Sequence, residues 1–290
     1  MFDGVHLGHR AVIETAIQSA RRTGGVAAVL TFRPHPSRIF RPQEPTRLIH
    51  DAATQAGLLA ELGVDAVIFE PFTAEFARTE AGDFLPWLRG RLPGLAAVYV
   101  GANWRFGAGR GGDVARLVES ARGTGLSVLS IPRVECDGSP VNSTRIRALL
   151  ESGDVARAGA LLGYRYFARG PVIEGRKLGR TLGFPTLNLA WSPELTPRFG
   201  VYFVRVSGGG ASLPGVANYG VRPTVGMETV PRIETHVLGA CPLASGDVIT
   251  VDWLDWLRPE LKFPGIEALK AQIAADVERA RAYFAQRGPF

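Results

Sequence analysis

The stretch Phe2–His9, FDGVHLGH, decides how the first half of this chain is interpreted. Two histidines three positions apart, His6 and His9, flank Gly8, and a helical pattern follows directly. Glycine lets backbone approach an anion closely, and the first turn of a helix offers unpaired N–H groups and a positive dipole end. Imidazoles placed there can donate hydrogen bonds to phosphate oxygens. The pattern favours a phosphate site, and the alternative is a solvated loop with two surface histidines.

Length and composition set wider bounds on the protein. The 290 residues are enough for roughly two domains, and 46% hydrophobic with 21% charged residues is typical of a globular protein. No apolar run reaches the roughly 18 residues of a membrane helix. The net charge of +6 comes without a basic tail, which argues against nucleic-acid binding. Cys136 and Cys241 form no disulfide or zinc pattern, so we expect a cytoplasmic protein.

Helical and strand patterns alternate through the first half. Apolar residues at helical spacing predict a helix over 10–22 that ends at Gly24, and VAAVLTF over 26–32 predicts a buried strand. This alternation predicts a parallel α/β sheet with ligands beyond the carboxyl ends of its strands. Further strands are expected over 65–69, 95–101 and 126–132.

Two polar segments follow predicted strands. TFRPHP, residues 31–36, carries His35 in a loop stiffened by prolines, and it can also be no more than a rigid turn. GANWRFGAGRGG, residues 101–112, combines five glycines with Asn103 and Arg105. It is either a flexible surface loop or a nucleotide-binding loop.

A third segment, VNSTRIR over 141–147, precedes another helical pattern. Ser143 and Thr144 can cap that helix. Alternatively, they hold a phosphate at the helix start together with Arg147.

FDGVHLGH, TFRPHP, GANWRFGAGRGG and STRIR, in this order, closely resemble the N-terminal FMN adenylyltransferase domain of prokaryotic bifunctional riboflavin kinase/FAD synthetases. The resemblance covers residues 1–165. It implies a nucleotidyltransferase fold with a Rossmann-like parallel sheet, in which FMN attacks the α-phosphate of ATP to form FAD and pyrophosphate, with Mg²⁺. It implies catalytic roles for His6 and His9 and a wider set of ATP-binding residues: His6, Gly8, His9, His35, Asn103, Arg105, Ser143, Thr144 and Arg147.

The family also places a strand immediately before the FDGVHLGH motif, where this sequence has only Met1. We expect that strand to be central in a parallel nucleotide-binding sheet. The hypothesis is therefore an N-terminally truncated domain, whose native start lies upstream and whose adenylylation is weak in the short form.

The second half, residues 166–290, has a different pattern of predicted secondary structure. Short alternating segments with tight connections predict an antiparallel β-barrel. Apolar residues three or four apart from Ile266 to Phe284 predict a terminal helix packed on that barrel, with Asp276 on its solvated face.

GRKLGRTLGFPTLNL, residues 175–189, is the most informative segment of this half. Thr186 and Asn188 are two residues apart, so in extended chain they point the same way and can hold Mg²⁺ beside an ATP phosphate. The alternative is a glycine-rich hairpin whose polar pair satisfies only its own backbone. The residues expected to approach ATP phosphates are Gly175, Lys177, Gly179 and Gly183.

This segment resembles the nucleotide-binding signature of riboflavin kinases, with Leu187 in place of the more usual alanine, and GVANYGVRPTVG, ETHVL and WLRPELKF follow the same domain. The resemblance implies that Glu234 is the catalytic base for the riboflavin 5′-hydroxyl, a role suited to a carboxylate. Alternatively, Glu234 pairs with Arg222 or Arg232. Residues 239–246 depart from the family pattern, so no flavin contact is expected there.

The expected protein is a bifunctional enzyme that converts riboflavin to FMN and FMN to FAD, using ATP and Mg²⁺. Small-molecule flavins and ATP are its expected partners, without nucleic acid or membrane, in a monomer or weak homo-oligomer. One alternative is a riboflavin kinase with an impaired adenylyltransferase domain. Another is a flavin-binding regulator without turnover, which the presence of Thr186, Asn188 and Glu234 disfavours.

Overall fold

The computed structural model describes residues 1–175, 178–221 and 231–287. The chain divides into two compact units, Met1–Ser143 and Thr144–Phe290. This division falls at the start of the helix Ser143–Ser152, earlier in the chain than the predicted domain boundary after residue 165. The domain limits 1–165 and 166–290 stay a prediction.

Helices and strands alternate in the first unit, as the apolar spacing predicts. Gly24 ends the first helix in the left-handed conformation, with φ of 66°. In chain order the elements are α1 Leu7–Thr23, β1 Ala28–Arg33, α2 Ser37–Phe40, α3 Ala52–Glu61, β2 Ala66–Pro71, α4 Ala81–Arg91, β3 Ala97–Gly101, α5 Val114–Ala121, β4 Ser127–Ile131, β5 Glu135–Cys136, β6 Ser139–Pro140 and α6 Ser143–Ser152, the last of which continues into the second unit.

The parallel strands form two pairs, β1 with β2 and β3 with β4. Within the described residues no strand joins one pair to the other, so the parallel sheet is present as two two-stranded parts. The predicted start of the first strand is wrong. Val26 is 75% exposed, because pairing begins only at Ala28, opposite Ala66.

An apolar cluster in this unit anchors the FDGVHLGH segment. Val5 packs with Ile13 of α1, Val29 of β1 and Leu59 of α3, all buried. A side chain from the motif itself therefore belongs to the core, and burial of such a side chain stabilises its position by roughly 1.5–3 kcal/mol. This packing holds the turn that precedes the two histidines.

The second unit contains a closed antiparallel barrel, which confirms the predicted fold class. Its described strands follow one another around the barrel in the order β10, β11, β8, β7, β12, β9. Gly209 and Gly210 join β9 to β10 with φ of 53° and 80°, as a two-residue hairpin turn requires. The elements are α7 Val155–Leu162, β7 Phe167–Ile173, α8 Leu178–Thr181, β8 Leu187–Ala190, β9 Gly200–Gly208, β10 Ala211–Gly220, β11 Arg232–Val237, β12 Val248–Arg258 and α9 Ile266–Arg287.

Strand alternation sorts the barrel residues between its two faces. Tyr219, Ile233 and Leu189 lie opposite one another on β10, β11 and β8 and are fully buried. Because successive side chains of a strand point to opposite faces, the adjacent row of residues on the same three strands lies on the outer face. That outer row is Asn218, Glu234 and Asn188.

The terminal helix α9 packs on the outer face of the barrel, as predicted. Val277 and Ala280 are buried against Val201, Phe203 and Leu257. The predicted stripe does not extend to its first residue, since Ile266 is 51% exposed. Within the part of the chain that the structure describes, no helix is both long and apolar enough to cross a membrane.

The placement of Asp276 on a solvated face is wrong, since this residue is 3% exposed. The guanidinium of Arg258 donates to its carboxylate through Nε at 3.0 Å and Nη2 at 2.6 Å. Gln272 Nε2 donates a further hydrogen bond at 2.9 Å. A buried carboxylate is tolerated when it is paired and hydrogen-bonded in this way, and periodicity along α9 alone does not show a partner on β12.

We expect Asp276→Ala to destabilise the protein by about 3–5 kcal/mol, because it leaves the Arg258 charge buried without its carboxylate. Urea unfolding of the full chain measures this change. Glu278→Ala is the matched control on α9, since Glu278 forms an exposed pair with Arg281 and its loss should cost at most about 1 kcal/mol. Equal midpoints for the two variants would contradict a structural role for the Arg258–Asp276 pair.

Candidate functional sites

The FDGVHLGH segment begins with a strained turn. Gly4 and Val5 have φ of 82° and 38°, and the Val5 N–H donates to the Phe2 carbonyl at 3.1 Å. A positive φ is unfavourable for a β-branched residue and persists only where surrounding structure imposes it. Burial of the Val5 side chain supplies that constraint. The turn ends with His6 at the N-cap of α1.

The two histidines of the motif form one aromatic unit. His6 Nδ1 accepts the His9 backbone N–H at 3.3 Å and so caps the helix. Since Nδ1 accepts, the ring proton lies on Nε2. The imidazoles of His6 and His9 stack with centroids 3.6 Å apart, and Phe2 meets the His9 ring edge-on.

His9 is held in its neutral form. Burial, and then the nearby His6 and N-terminal ammonium, lower the pKa of His9 well below 6.5. Its Nδ1 is buried and has no hydrogen-bond partner among the described residues. A neutral imidazole can donate one hydrogen bond and accept another without adding charge, which suits contact with a ligand.

Gly8 lets two other groups approach the first turn of α1. A Cβ there would lie 3.2 Å from His6 Cε1 and 3.5 Å from the Val141 carbonyl oxygen. Any larger side chain would therefore press on the His6 ring and on the backbone just before α6.

Ser143 is brought to the motif by Asp3. The Ser143 hydroxyl donates to the Asp3 carbonyl at 3.0 Å, and Asp3 Oδ1 accepts the Ile49 N–H at 2.9 Å. Asp3 is buried and is not among the predicted site residues, although its place inside the motif was a signal for it. Thr144 and Arg147 lie in the first two turns of α6.

The loop after β1 positions the His35 imidazole. His35 Nδ1 accepts the Ser37 N–H at 3.1 Å and lies 2.8 Å from Ser37 Oγ. Ser37 Oγ in turn accepts the Thr46 N–H at 2.8 Å. The serine hydroxyl thus donates to Nδ1, and the His35 ring proton is on Nε2. A rigid turn and an oriented histidine therefore occur together here.

The segment 101–112 after β3 is closed on itself. Phe106 and Gly112 exchange backbone hydrogen bonds of 3.1 and 2.8 Å, and the Phe106 ring stacks on Trp104 with centroids 4.5 Å apart. Phe106 is buried, so the loop is anchored at its centre. Asn103 lies in the exposed part of the loop.

Arg105 forms an ion pair at the end of this loop. Its Nη1 lies 3.1 Å from Asp113 Oδ2, and Asp113 Oδ1 caps α5 by accepting the Arg116 N–H at 2.9 Å. That backbone hydrogen bond is the largest cause of a lowered pKa for Asp113, and Arg105 contributes further. Both side chains are exposed, so a phosphate can compete for the Arg105 guanidinium.

We expect acid to destabilise the protein through His50, which is buried beside the N-cap of α3. Burial lowers the pKa of His50 from 6.5 to about 4, against an opposing effect of Asp51. Between these values the unfolded chain binds a proton that the folded chain does not. Stability is therefore complete above about pH 6.5 and falls as the pH drops towards 4, by on the order of 3 kcal/mol.

Urea unfolding between pH 7 and 4.5 tests this, with His50→Asn as the variant that lacks the titrating ring. The variant should show a flatter dependence on pH. An NMR titration of the His50 ring gives its pKa directly, and parallel stability curves would contradict the prediction.

The predicted kinase residues lie on β8 and in the segment before it. Asn188 is 8% exposed and its Nδ2 donates to the Thr186 carbonyl at 3.3 Å, which leaves Oδ1 as its remaining acceptor. A Cβ on Gly175 would overlap the Asn188 amide. Gly179 similarly leaves room for the Phe184 carbonyl, and Gly183 has φ of 89°. Lys177 lies outside the described residues.

Glu234 lies directly opposite Asn188 in the β11–β8 register. Directly opposite residues point to the same face, with Cβ atoms roughly 5 Å apart. One of the two alternative partners of this carboxylate, Arg232, lies two residues before it on β11. The other alternative, Arg222, lies outside the described residues.

His236 is a further residue on this face that was not predicted as part of the site. Its Nδ1 lies 2.9 Å from the Pro185 carbonyl, which can only accept, so Nδ1 carries the proton. The Phe184 ring contacts the imidazole edge-on. His236 thus holds the chain immediately before Thr186. Its spacing of two residues from Glu234 was the available signal.

Comparison with known proteins assigns both halves of the chain. The family model for FAD synthetase matches residues 1–145, and the model for riboflavin kinase matches residues 162–284. A bifunctional riboflavin kinase/FMN adenylyltransferase of Escherichia coli K12 is 36% identical over 290 residues, covering 99% of this chain and 92% of that protein. The chain belongs to this bifunctional family.

Other relatives agree with the assignment. Bifunctional riboflavin kinase/FMN adenylyltransferases of Listeria monocytogenes and Pseudomonas fluorescens are 35% and 37% identical, covering 98% and 97% of this chain and 91% and 90% of those proteins. A crystal structure of a Streptococcus pneumoniae protein named as a macrolide-efflux protein matches with a TM-score of 0.85 and 29% identity, over 97% of this chain and 91% of that one. That likeness supports the fold, and the two family models carry the assignment to flavin enzymes.

Proposed function

We propose that this member of the bifunctional family phosphorylates riboflavin to FMN in residues 166–290 and adenylylates FMN to FAD in residues 1–165, with ATP as the co-substrate of both steps. One observation carries the proposal: each half matches its own enzyme family and also retains an organised polar site. The first is the stacked pair His6–His9 at the start of α1, and the second is the outer-face pair Asn188–Glu234.

In the adenylyltransferase site the histidines act as hydrogen-bond donors to the triphosphate. A phosphate oxygen of FMN attacks the α-phosphorus of ATP, and the bond to pyrophosphate breaks. The Nε2–H of His6, the neutral His9 and the N–H groups at the start of α1 donate to oxygens that gain negative charge. Further contacts to ATP are proposed for Gly8, His35, Asn103, Arg105, Ser143, Thr144 and Arg147.

In the kinase site Glu234 is the proposed catalytic base. Its carboxylate accepts the proton of the riboflavin 5′-hydroxyl while that oxygen attacks the γ-phosphorus of ATP, and ADP leaves. Asn188 on β8 and Thr186 immediately before it are proposed to face the same region. Gly175, Gly179 and Gly183, with Lys177, are proposed to bring backbone and charge to the phosphates. His236 keeps Thr186 in place through Pro185.

The kinase residues fit a magnesium ion. Oxygen donors are what Mg²⁺ prefers, and the Asn188 amide presents Oδ1 because its Nδ2 is bound to the Thr186 carbonyl. Thr186 supplies a hydroxyl two residues away. The Asn188 Oδ1 and the Thr186 hydroxyl are therefore the proposed ligands. When bound, the ion neutralises phosphate charge.

The enzyme is proposed to be cytoplasmic and to bind small molecules. Cys136 and Cys241 form no disulfide in the described part of the chain, which suits a reducing cytoplasm. The interleaved surface charges support flavins and ATP, without nucleic acid, as the partners of a monomer or weak homo-oligomer.

Purified protein incubated with riboflavin, ATP and MgCl₂ tests the proposal by chromatography of the flavins. FMN and FAD should both form, with one pyrophosphate for each FAD. FMN alone would indicate a kinase with a silent first domain, and retention of riboflavin without either product would indicate a binding protein. Excess EDTA should stop both steps, and turnover that survives it would contradict the magnesium site.

A further inference from the structure

The outer-face row on the barrel continues beyond the proposed catalytic base. Asn218 of β10 lies directly opposite Glu234 of β11, which lies directly opposite Asn188 of β8. All three side chains therefore point to one face, at Cβ spacings of roughly 5 Å from strand to strand. Asn218 is thus the neighbour of Glu234 on the side away from the proposed metal ligand.

The Asn218 amide has a defined orientation. Its Nδ2 donates to Glu260 Oε1 at 3.2 Å. A carboxylate can only accept, so the amide must turn its NH₂ group to Glu260 and its Oδ1 to the opposite side. The outer face therefore presents a second acceptor beside the Glu234 carboxylate.

Glu260 is itself held in place by its neighbours. Arg258 is fixed by the buried Asp276 and donates through Nη1 to the Pro259 carbonyl at 2.8 Å, immediately before Glu260. Gly220 leaves the space that the Glu260 carboxylate occupies, since a Cβ at that position would overlap Oε1. Gly220 does not have a positive φ, so its lack of a side chain, rather than its backbone conformation, is what matters here.

We propose that Asn218 is a specificity-determining residue of the kinase site, whose Oδ1 accepts a hydrogen bond from the hydroxyl adjacent to the one that is phosphorylated, and that Glu260 is a positioning residue that orients this amide. Two acceptors side by side match two neighbouring hydroxyl donors. The substrate class is therefore a primary alcohol with a vicinal secondary hydroxyl, as in the 5′ and 4′ positions of riboflavin. This inference rests on the proposed kinase activity.

The experiment compares riboflavin with 4′-deoxyriboflavin as substrates of the full chain. Asn218→Ala should lower kcat/KM for riboflavin about tenfold, the effect of one lost hydrogen bond, and leave kcat/KM for 4′-deoxyriboflavin unchanged. Asn218→Ser, which retains an acceptor, should recover part of the loss. An equal loss on both substrates would overturn the proposal, because the effect would then not depend on the 4′-hydroxyl.

A double-mutant cycle tests the positioning role of Glu260. Glu260→Ala and Gly220→Ala should each lower kcat/KM for riboflavin by about threefold, and the double variant should lose no more than either alone, because both remove the same contact. Additive losses would overturn this role. Glu278→Ala is the surface control.

The adenylylation of added FMN should be unchanged in every variant, and urea unfolding of each variant reports the folding of the barrel itself. A wild-type protein that forms no FMN from riboflavin would refute the proposed kinase activity itself. A wild-type protein that forms FMN, but whose Asn218→Ala variant treats both substrates alike, would refute only the inference about Asn218.

Discussion

Glu234→Gln is expected to lower riboflavin phosphorylation by about 10²-fold or more, the scale of a lost general base. Glutamine keeps the size and hydrogen-bonding capacity of the side chain opposite Asn188 but cannot take the hydroxyl proton. The loss should therefore fall on kcat, with a small change in the KM for riboflavin. Steady-state formation of FMN measures both constants.

The bifunctional chain supplies an internal control for this variant. Added FMN should still be converted to FAD at the wild-type rate, and the variant should keep the wild-type midpoint of urea unfolding, which separates a chemical defect from a folding defect. Glu278→Gln, on the exposed side of α9, should leave both activities intact. Unchanged turnover of riboflavin by the Glu234→Gln protein would remove Glu234 from its proposed role.

Local patterns in the sequence were sufficient for much of the fold. Helical spacing predicted α1 and its end at Gly24, and the change from helix–strand alternation to short strands predicted the barrel. The helix and its end depend on interactions close in sequence, and the alternation within each strand is also a local pattern, so periodicity and glycine positions record both. The fold class and the family assignment were confirmed on this basis.

Long-range partners were what the sequence could not show. Asp276 has the spacing of a solvated residue, and its burial depends on Arg258, which belongs to a different element. Likewise, Glu260 becomes a neighbour of Asn218 only once the barrel has closed. A pattern along one element cannot report a contact that the tertiary structure creates.

The same limit applies to the strand register of the proposed kinase site. Thr186 and Asn188 are close in sequence, so their shared direction follows from alternation. Glu234 is far from them in sequence, and only the β8–β11 register places it opposite Asn188. The family resemblance is the basis of the role proposed for Glu234, and the β8–β11 register is the geometry that supports it.

The second large effect is expected at His6, which has two separable functions in the structure. Its Nδ1 caps α1, and its Nε2–H is the proposed donor to a phosphate. His6→Asn retains a good N-cap acceptor but removes the imidazole. This variant should keep wild-type thermal stability and lose FAD formation from FMN by about 10²-fold, the scale of one lost donor to a developing charge.

His6→Ala completes the comparison, because it removes both the cap and the donor. It should lose FAD formation to the same extent and also about 1 kcal/mol of stability. Riboflavin phosphorylation should remain at the wild-type rate in both variants, which shows that the kinase half is intact. If the His6→Asn variant kept wild-type adenylylation, the role of His6 would be confined to capping α1. Transfer would then have to depend on the stacked His9 and the helix N-terminus.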